Sequence, residues 1–205
     1  MINIAYILIS FSFLISSDNW NILSKEPVLI KYLDSSYPMC HAELLINDSI
    51  ENVLDVIEDV NNYKLFFDSI VISTRNSYDQ VRLGIDMPFP FKDRDYTVKF
   101  DKIINENKIS FVYEPIETEN FPVNENYVRL IDARGGWILS KKNNKETLVI
   151  YKWNGDMRGE FPKWAYSQAW KKQGNEIVKK YNKILINLAK DNKIEIASLD
   201  TIKEK

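Results

Sequence analysis

Apolar positions first come in two short runs, Val28–Leu33 (VLIKYL) and Cys40–Ile46 (CHAELLI), each of a length suited to one β-strand. Ile50, Val53, Leu54, Ile57, Val60 and Tyr63 then recur at helical spacing and define the apolar face of a helix. Asp48 is placed to cap that helix, with Glu51 three positions on as its capping-box partner. From Ile70 to Tyr151 the period drops to two. Val81, Leu83, Ile85 and Met87 alternate with polar or small residues, as do Tyr96, Val98 and Phe100, and Thr147, Val149, Tyr151 and Trp153 repeat the alternation. Ile109–Tyr113 and Tyr127–Ile131 read as further strands. The intervals between them carry Asn, Asp, Gly or Pro, so the segment predicts an antiparallel meander with one buried face.

The last element is a long helix. Gly159 precedes it and Pro162 suits its first turn, where a missing N–H costs nothing. Its apolar stripe is Tyr166, Trp170, Ile177, Tyr181, Ile184, Leu185 and Leu188. Gly174 interrupts it at about 1 kcal/mol relative to alanine, either to allow a close backbone approach or as tolerated sequence. The order predicts an α+β domain in which a curved antiparallel sheet wraps around the C-terminal helix, with a short helical segment after the first strands. Where sheet and helix stripe fail to meet, an apolar cavity remains, a site for a hydrophobic ligand.

Ile2–Ile15 is almost wholly apolar and is followed by Ser16, Ser17 and the first charge, Asp18. It is shorter than the ~20 residues a bilayer-spanning helix needs and reads as an export signal over 1–17, although no Lys or Arg precedes it. An uncleaved anchor or a buried N-terminal element are the other readings. Export would place the protein in the periplasm or outside the cell. One continuous domain is expected over 18–190, with a polar tail over 191–205.

Composition narrows the chemistry. A net charge of −2 gives no global attraction to nucleic acid. One cysteine, Cys40, forms no intrachain disulfide, and with one histidine, His41, a zinc site lacks ligands. These two are neighbours on a strand, face opposite sides, and cannot act as a Cys/His pair. Gly135-Gly136 stands without the rest of a phosphate-cradling motif. No catalytic residue, metal or cofactor is assigned. Lys171, Lys172, Lys179, Lys180 and Lys183 form an outer face read as solvated, with transient docking on an anionic membrane surface as its other use.

Three stretches together resemble the START (steroidogenic acute regulatory protein-related lipid transfer) domains of the SRPBCC superfamily. They are Pro88-Phe-Pro-Phe-Lys-Asp-Arg-Asp-Tyr96, Tyr127-Val-Arg129 through Gly136-Trp137-Ile-Leu139 to Tyr151, and Asp156-Met-Arg-Gly159-Glu-Phe-Pro162-Lys-Trp164. Trp20 and Asp59 also fit, and the resemblance spans about Trp20 to Ala189. It implies a helix-grip fold and a cavity for a lipid or other hydrophobic molecule, held without catalysis. A cyclase- or dehydratase-like enzyme and an interaction module with a filled cavity are the alternatives. Steroid-binding members carry a buried acid–arginine pair. The arginine's place is Phe100 here, which leaves an acyl chain, an isoprenoid or an aromatic product open.

The candidate ligand-binding residues are Arg94, Tyr96, Arg129, Trp137, Tyr151, Trp153, Tyr166 and Trp170. Large aromatics on inward strand positions and on the helix stripe supply apolar contact, with Tyr hydroxyls and indole N–H groups as polar handles. Arg94 and Asp95 are adjacent and point to opposite faces of a strand. A buried Arg94 needs a partner, for which Asp156 or Asp93 is the expected choice.

Overall fold

The computed structural model describes residues 20–26, 28–34, 38–159, 161–162 and 164–176. The expected export segment, the stripe residues Ile177, Tyr181, Ile184, Leu185 and Leu188, the lysines Lys179, Lys180 and Lys183, and the tail 191–205 lie outside the described residues.

Ten strands form one sheet: β1 (Trp20–Ser24), β2 (Leu29–Leu33), β3 (Met39–Ile46), β4 (Ile70–Arg75), β5 (Gln80–Ile85), β6 (Asp93–Asn105), β7 (Lys108–Pro115), β8 (Tyr127–Arg129), β9 (Arg134–Asn143) and β10 (Glu146–Asn154). Their order is β1-β2-β3-β10-β9-β7-β6-β5-β4, so the last strand lies mid-sheet between β3 and β9. Neighbours on this path pair antiparallel. The short β8 lies off the path and pairs parallel with the start of β6. The period-two pattern could not show that pairing, because alternation sets the face a residue takes and not the direction of its neighbour.

The alternation itself is faithful. On β10, Thr147, Val149, Tyr151 and Trp153 are buried while the residues between them are partly exposed. The buried face is covered from two sides. The first cover is α1 (Ile50–Glu58), which lies against β9 and β10 and is tied there by Thr147 Oγ1 donating to the Asp48 carbonyl (2.9 Å). The second is α3 (residues 164–176), the described part of the C-terminal helix.

Two details of the first helix differ from expectation. Ser49, not Asp48, is the N-cap, its hydroxyl accepting from Asn52 N (3.2 Å). Asp48 instead accepts from Ser49 N and from Asn52 Nδ2, both at 2.7 Å, and so braces the cap from one residue back. The apolar face that runs on to Tyr63 is also not one helix. The chain leaves α-geometry at Asp59, makes a 3-10 turn over Val60–Asn62, and resumes as α2 (Tyr63–Phe66). Asn62 Nδ2 donates to Asp59 Oδ2 (2.8 Å) and Tyr63 Oη to the Ile57 carbonyl (2.6 Å), so side chains take over bonds the helix gives up. The turn keeps Val60 and Tyr63 buried while redirecting the chain toward β4.

α3 is set by its own first turn, by a polar contact to the loop before β4 and by one close approach to the sheet. The Pro162 carbonyl accepts from Ala165 N (3.0 Å) and opens its first turn. Glu176 Oε2 accepts from Ser69 N (3.2 Å) and Ser69 Oγ (2.7 Å) near its described end. Between them Gly174 faces β2, where an added Cβ would lie 2.8 Å from Ile30 Cδ1 and 3.1 Å from its Cγ1. Glycine at this position is what lets helix and strand come so close. Gly174→Ala gains about 1 kcal/mol of helix propensity but overpacks the core, which costs about 1–3 kcal/mol. A net loss of about 1 kcal/mol is expected in urea unfolding. Adding Ile30→Val, which removes the clashing methyl, should yield a double variant more stable than the two single losses would sum to.

Candidate ligand-binding site

Between the concave face and α3 lies a pocket of about 430 Å³. The sheet contributes Ile85, Tyr96, Tyr113 and Trp153; the connecting loops contribute Met87, Phe91, Leu130, Met157 and Phe161; α3 contributes Ala165, Ala169 and Trp170. Asp86, Pro88, Trp164, Gln168 and Lys172 also line it but are exposed, and so mark its rim. A second hollow of about 20 Å³ adjoins it, sharing Ser69, Tyr96, Tyr113 and Gln173 and reaching Tyr63, Trp137 and Tyr151. That is room for about one water molecule.

Strand register brings the aromatics together. Trp137 lies opposite both Tyr151 and Phe111, and Gly135 opposite both Trp153 and Tyr113. An added Cβ at Gly135 would lie 2.6 Å from Tyr113 Oη and 2.5 Å from the Lys152 carbonyl, so the bare backbone there leaves room for the Tyr113 ring. The rings form a continuous row: Trp137 and Tyr151 have centroids 4.3 Å apart, Tyr151 and Trp153 4.6 Å, and Trp153 meets Trp170 edge-on at 5.6 Å. Phe67 stacks on the far end of the row at Trp137. The Tyr113 and Tyr151 hydroxyls are 3.2 Å apart. Burial pushes the hydroxyls of Tyr96, Tyr113 and Tyr151 well above their ordinary pKa. They are therefore neutral groups at physiological pH and act as hydrogen-bond partners rather than charges.

Of the candidates from the sequence, Tyr96, Trp153 and Trp170 line the larger pocket, and Trp137 and Tyr151 line the smaller one. Tyr166 stands behind the wall, its hydroxyl accepting from Met157 N (3.2 Å) and so holding the Met157 loop to α3. Neither arginine is in either lining.

Arg94 is buried, but its expected carboxylate partner is replaced by backbone. Its Nε donates to the Met157 carbonyl (3.1 Å), its Nη2 to the Arg158 carbonyl (3.2 Å) and its Nη1 to the Lys92 carbonyl, while Phe161 lies beneath it at 5.5 Å. Arg158 and Gly159 take positive φ (50° and 63°), which turns the loop tightly above the guanidinium. Arg94 thus fastens the loop that leads into α3. Arg129 donates from Nε to Asp95 Oδ1 (2.8 Å) and from Nη2 to Asp95 Oδ2 (2.9 Å), and also reaches the Phe121 carbonyl (3.2 Å). Arg82 closes on the same fully buried carboxylate at 2.7 Å. The acid–arginine cluster joins β5, β6 and β8 on the face opposite Arg94 and Tyr96.

Tyr113, Met87, Phe91, Leu130, Met157 and Phe161 were not candidates from the sequence. Tyr113 sat in a recognised strand, where its register to Trp153 across Gly135 is the missing fact. Met87 and Leu130 fell in segments read as strands, Met87 on the alternating face, and lie on the loops that follow β5 and β8; Phe91, Met157 and Phe161 lie on loops where no period marks an inward residue.

No family model matches the sequence, and no curated protein matches it. Solved structures do match in fold. Human StAR-related lipid transfer protein 5 aligns with a TM-score of 0.74 at 14% identity, over 83% of this chain and 88% of that one. A STAR-related lipid transfer protein from Xanthomonas axonopodis aligns at 0.68 and 18%, over 80% and 96%. A START superfamily protein from Mycobacterium smegmatis aligns at 0.54 and 11%, over 75% and 99%. The chain has the START-like helix-grip fold, a large curved antiparallel sheet with a C-terminal helix.

Asp95→Asn leaves two guanidinium groups at one buried site without a counter-charge. Removing one partner of such a cluster costs about 3–5 kcal/mol, and that loss is expected in urea unfolding. Alkaline pH should act through the tyrosines. Their folded pKa values lie above the ordinary 10.0, so the stability tied to their neutral forms is complete below pH 10 and falls as pH rises toward the folded values. Tyrosinate absorbance followed alongside circular dichroism should show a component that appears only as the fold is lost.

Proposed function

We propose that this protein is a non-catalytic binding protein for a hydrophobic, lipid-like molecule held between the concave sheet and α3. The observation that carries the reading is the pocket of about 430 Å³ with walls of aromatic and aliphatic side chains. Its volume falls in the range of about 300–1,000 Å³ common to small-molecule sites. Two of the fold relatives are lipid transfer proteins, which supports the same class of ligand. The buried hydroxyls on its walls are held neutral by burial, which suits holding a ligand rather than moving protons.

Exchange with a membrane surface is part of the proposal. Trp164 is 69% exposed at the rim, and Phe89, between the lining residues Pro88 and Phe91, is 97% exposed. Such side chains sit favourably at a lipid–water interface. Lys171 and Lys172 on the adjoining face of α3 would favour anionic lipid. The apolar run Ile2–Ile15 supports export, which would give the envelope or the exterior as the place of work.

Native mass spectrometry of protein purified without detergent is expected to show an adduct of a few hundred daltons that organic extraction removes. Ala169→Trp, which fills the pocket from the helix side, should reduce adduct occupancy at least about tenfold, as for any ligand denied its apolar contact, while the far-ultraviolet circular dichroism stays unchanged. Full loading of this variant would refute the assignment of the site.

A further inference from the structure

The larger pocket differs from one side to the other. Its exposed lining residues, among them Trp164, Gln168 and the two charged ones, Asp86 and Lys172, mark the rim. At the buried side, Tyr96 and Tyr113 are 4% and 5% exposed. Both line this pocket and also the second hollow of about 20 Å³, and so stand between the two. Past them, among the described residues, side chains fill the space: Trp137 and Tyr151 pack with centroids 4.3 Å apart, and Phe67 stacks on Trp137.

The Tyr113 ring has little freedom to give way. Phe100 lies 5.3 Å from it and Tyr96 6.1 Å, centroid to centroid, and the Tyr151 hydroxyl is 3.2 Å from its own. The Gly135 backbone lies so close that an added Cβ there would come 2.8 Å from Tyr113 Cζ. A ring packed on these sides moves only if its neighbours move with it. The hollow behind it has room for about one water molecule, which is too little to take the ring. Tyr113 is therefore a firm end wall.

Volume and wall together restrict the guest. At roughly 30 Å³ per chain carbon, close to the share of one water molecule in the liquid, a pocket of about 430 Å³ holds about fourteen carbons. Two chains of that length need about twice the space, so the pocket holds one. A polar end group loses its hydration if it is driven inward, and the charged lining residues stand at the rim. We propose that the ligand is a single chain, or a ring system of like volume, that lies with its polar end at the rim and its tail against Tyr113, which sets the length the site accepts. This rests on the reading of the pocket as a hydrophobic ligand site and adds the size of the guest, its direction and the residue that limits it.

The test uses the full chain and displacement of a neutral fluorescent probe, phenyl-naphthylamine, by alkylphosphocholines from octyl to octadecyl, each below its micelle concentration. Every added methylene should lower the displacing concentration about fourfold, the worth of one buried CH₂, up to about the tetradecyl chain. Hexadecyl and octadecyl should gain nothing further. Tyr113→Leu, which shortens the end wall and keeps it apolar, should carry the gain on to longer chains. Tyr113→Phe, which keeps the ring and loses the hydroxyl, should leave the break where it is. On the native protein, a tetradecyl chain with a diazirine at its last carbon should label Tyr96 or Tyr113 on illumination, and one with the diazirine beside the phosphate should label Trp164 or Gln168. If the gain runs on to octadecyl in the native protein, the length limit is wrong and the hydrophobic site stands. If folded Tyr113→Leu keeps the native break, the role of Tyr113 is overturned. If that variant does not fold, the labelling decides: a chain-end diazirine that marks the rim overturns both the direction and the end wall. If neither the probe nor any chain binds, the site and its length limit fail together.

Discussion

A curved sheet has more concave apolar face than one helix can cover, and the structure turns on where contact is made and where it is withheld. At β2, Gly174 lets α3 approach until only the Ile30 side chain separates the backbones. At β10, Trp170 meets Trp153 edge-on, and these bulky rings prop the helix away from the strands. Close contact at Gly174 and edge-on contact one turn earlier at Trp170 leave the larger pocket along the first turns of α3, where Ala165 and Ala169 line it. The first helical segment closes the opposite end of the face, with Phe67 stacked on Trp137, so the hollow is bounded on that side.

Charge is kept out of this pocket by strand alternation. Asp95 and Tyr96 are neighbours on β6 and take opposite faces. The carboxylate meets Arg82 and Arg129 on one side, and the ring enters the pocket on the other. Arg94 shares the face of Tyr96, yet its guanidinium is consumed by three loop carbonyls. Both clusters act on the loops that frame the pocket, the first through Phe121 and β8, the second through Met157 and Arg158. The tyrosine hydroxyls on the walls are held protonated by burial, and the charged lining residues Asp86 and Lys172 of the larger pocket stand at its exposed rim.

The face assignment of nearly every central strand residue was legible from local pattern. Thr147, Val149, Tyr151 and Trp153 are buried as their period of two requires, because a strand residue's face depends only on its parity. The aromatic candidates on β9 and β10 follow from the same rule, and those on α3 from the helical stripe. Local pattern misled where a side chain's role depends on its partner. Arg94 and Arg129 were candidates for ligand contact, with Asp156 or Asp93 expected beside a buried Arg94, and the chain instead spends them on loop carbonyls and on the shared Asp95 carboxylate. The break at Asp59 was hidden because a 3-10 turn keeps Val60 and Tyr63 on the buried side, so the apolar spacing survives the change of helix.

The resemblance of three stretches to START domains implied the helix-grip architecture, while the amino-acid sequence by itself determined the order of elements, the inward faces of the strands and the entry to the last helix at Pro162. These follow from periodicity and backbone stereochemistry, which act over a few residues. Only the tertiary structure decided that Gly135 stands between Tyr113 and Trp153, that Gly174 rests on Ile30, and that loop residues such as Met157 and Phe161 complete the wall. Those are relations between segments distant along the chain. They are set by strand register and by how closely a helix can approach a sheet, and no local period encodes either.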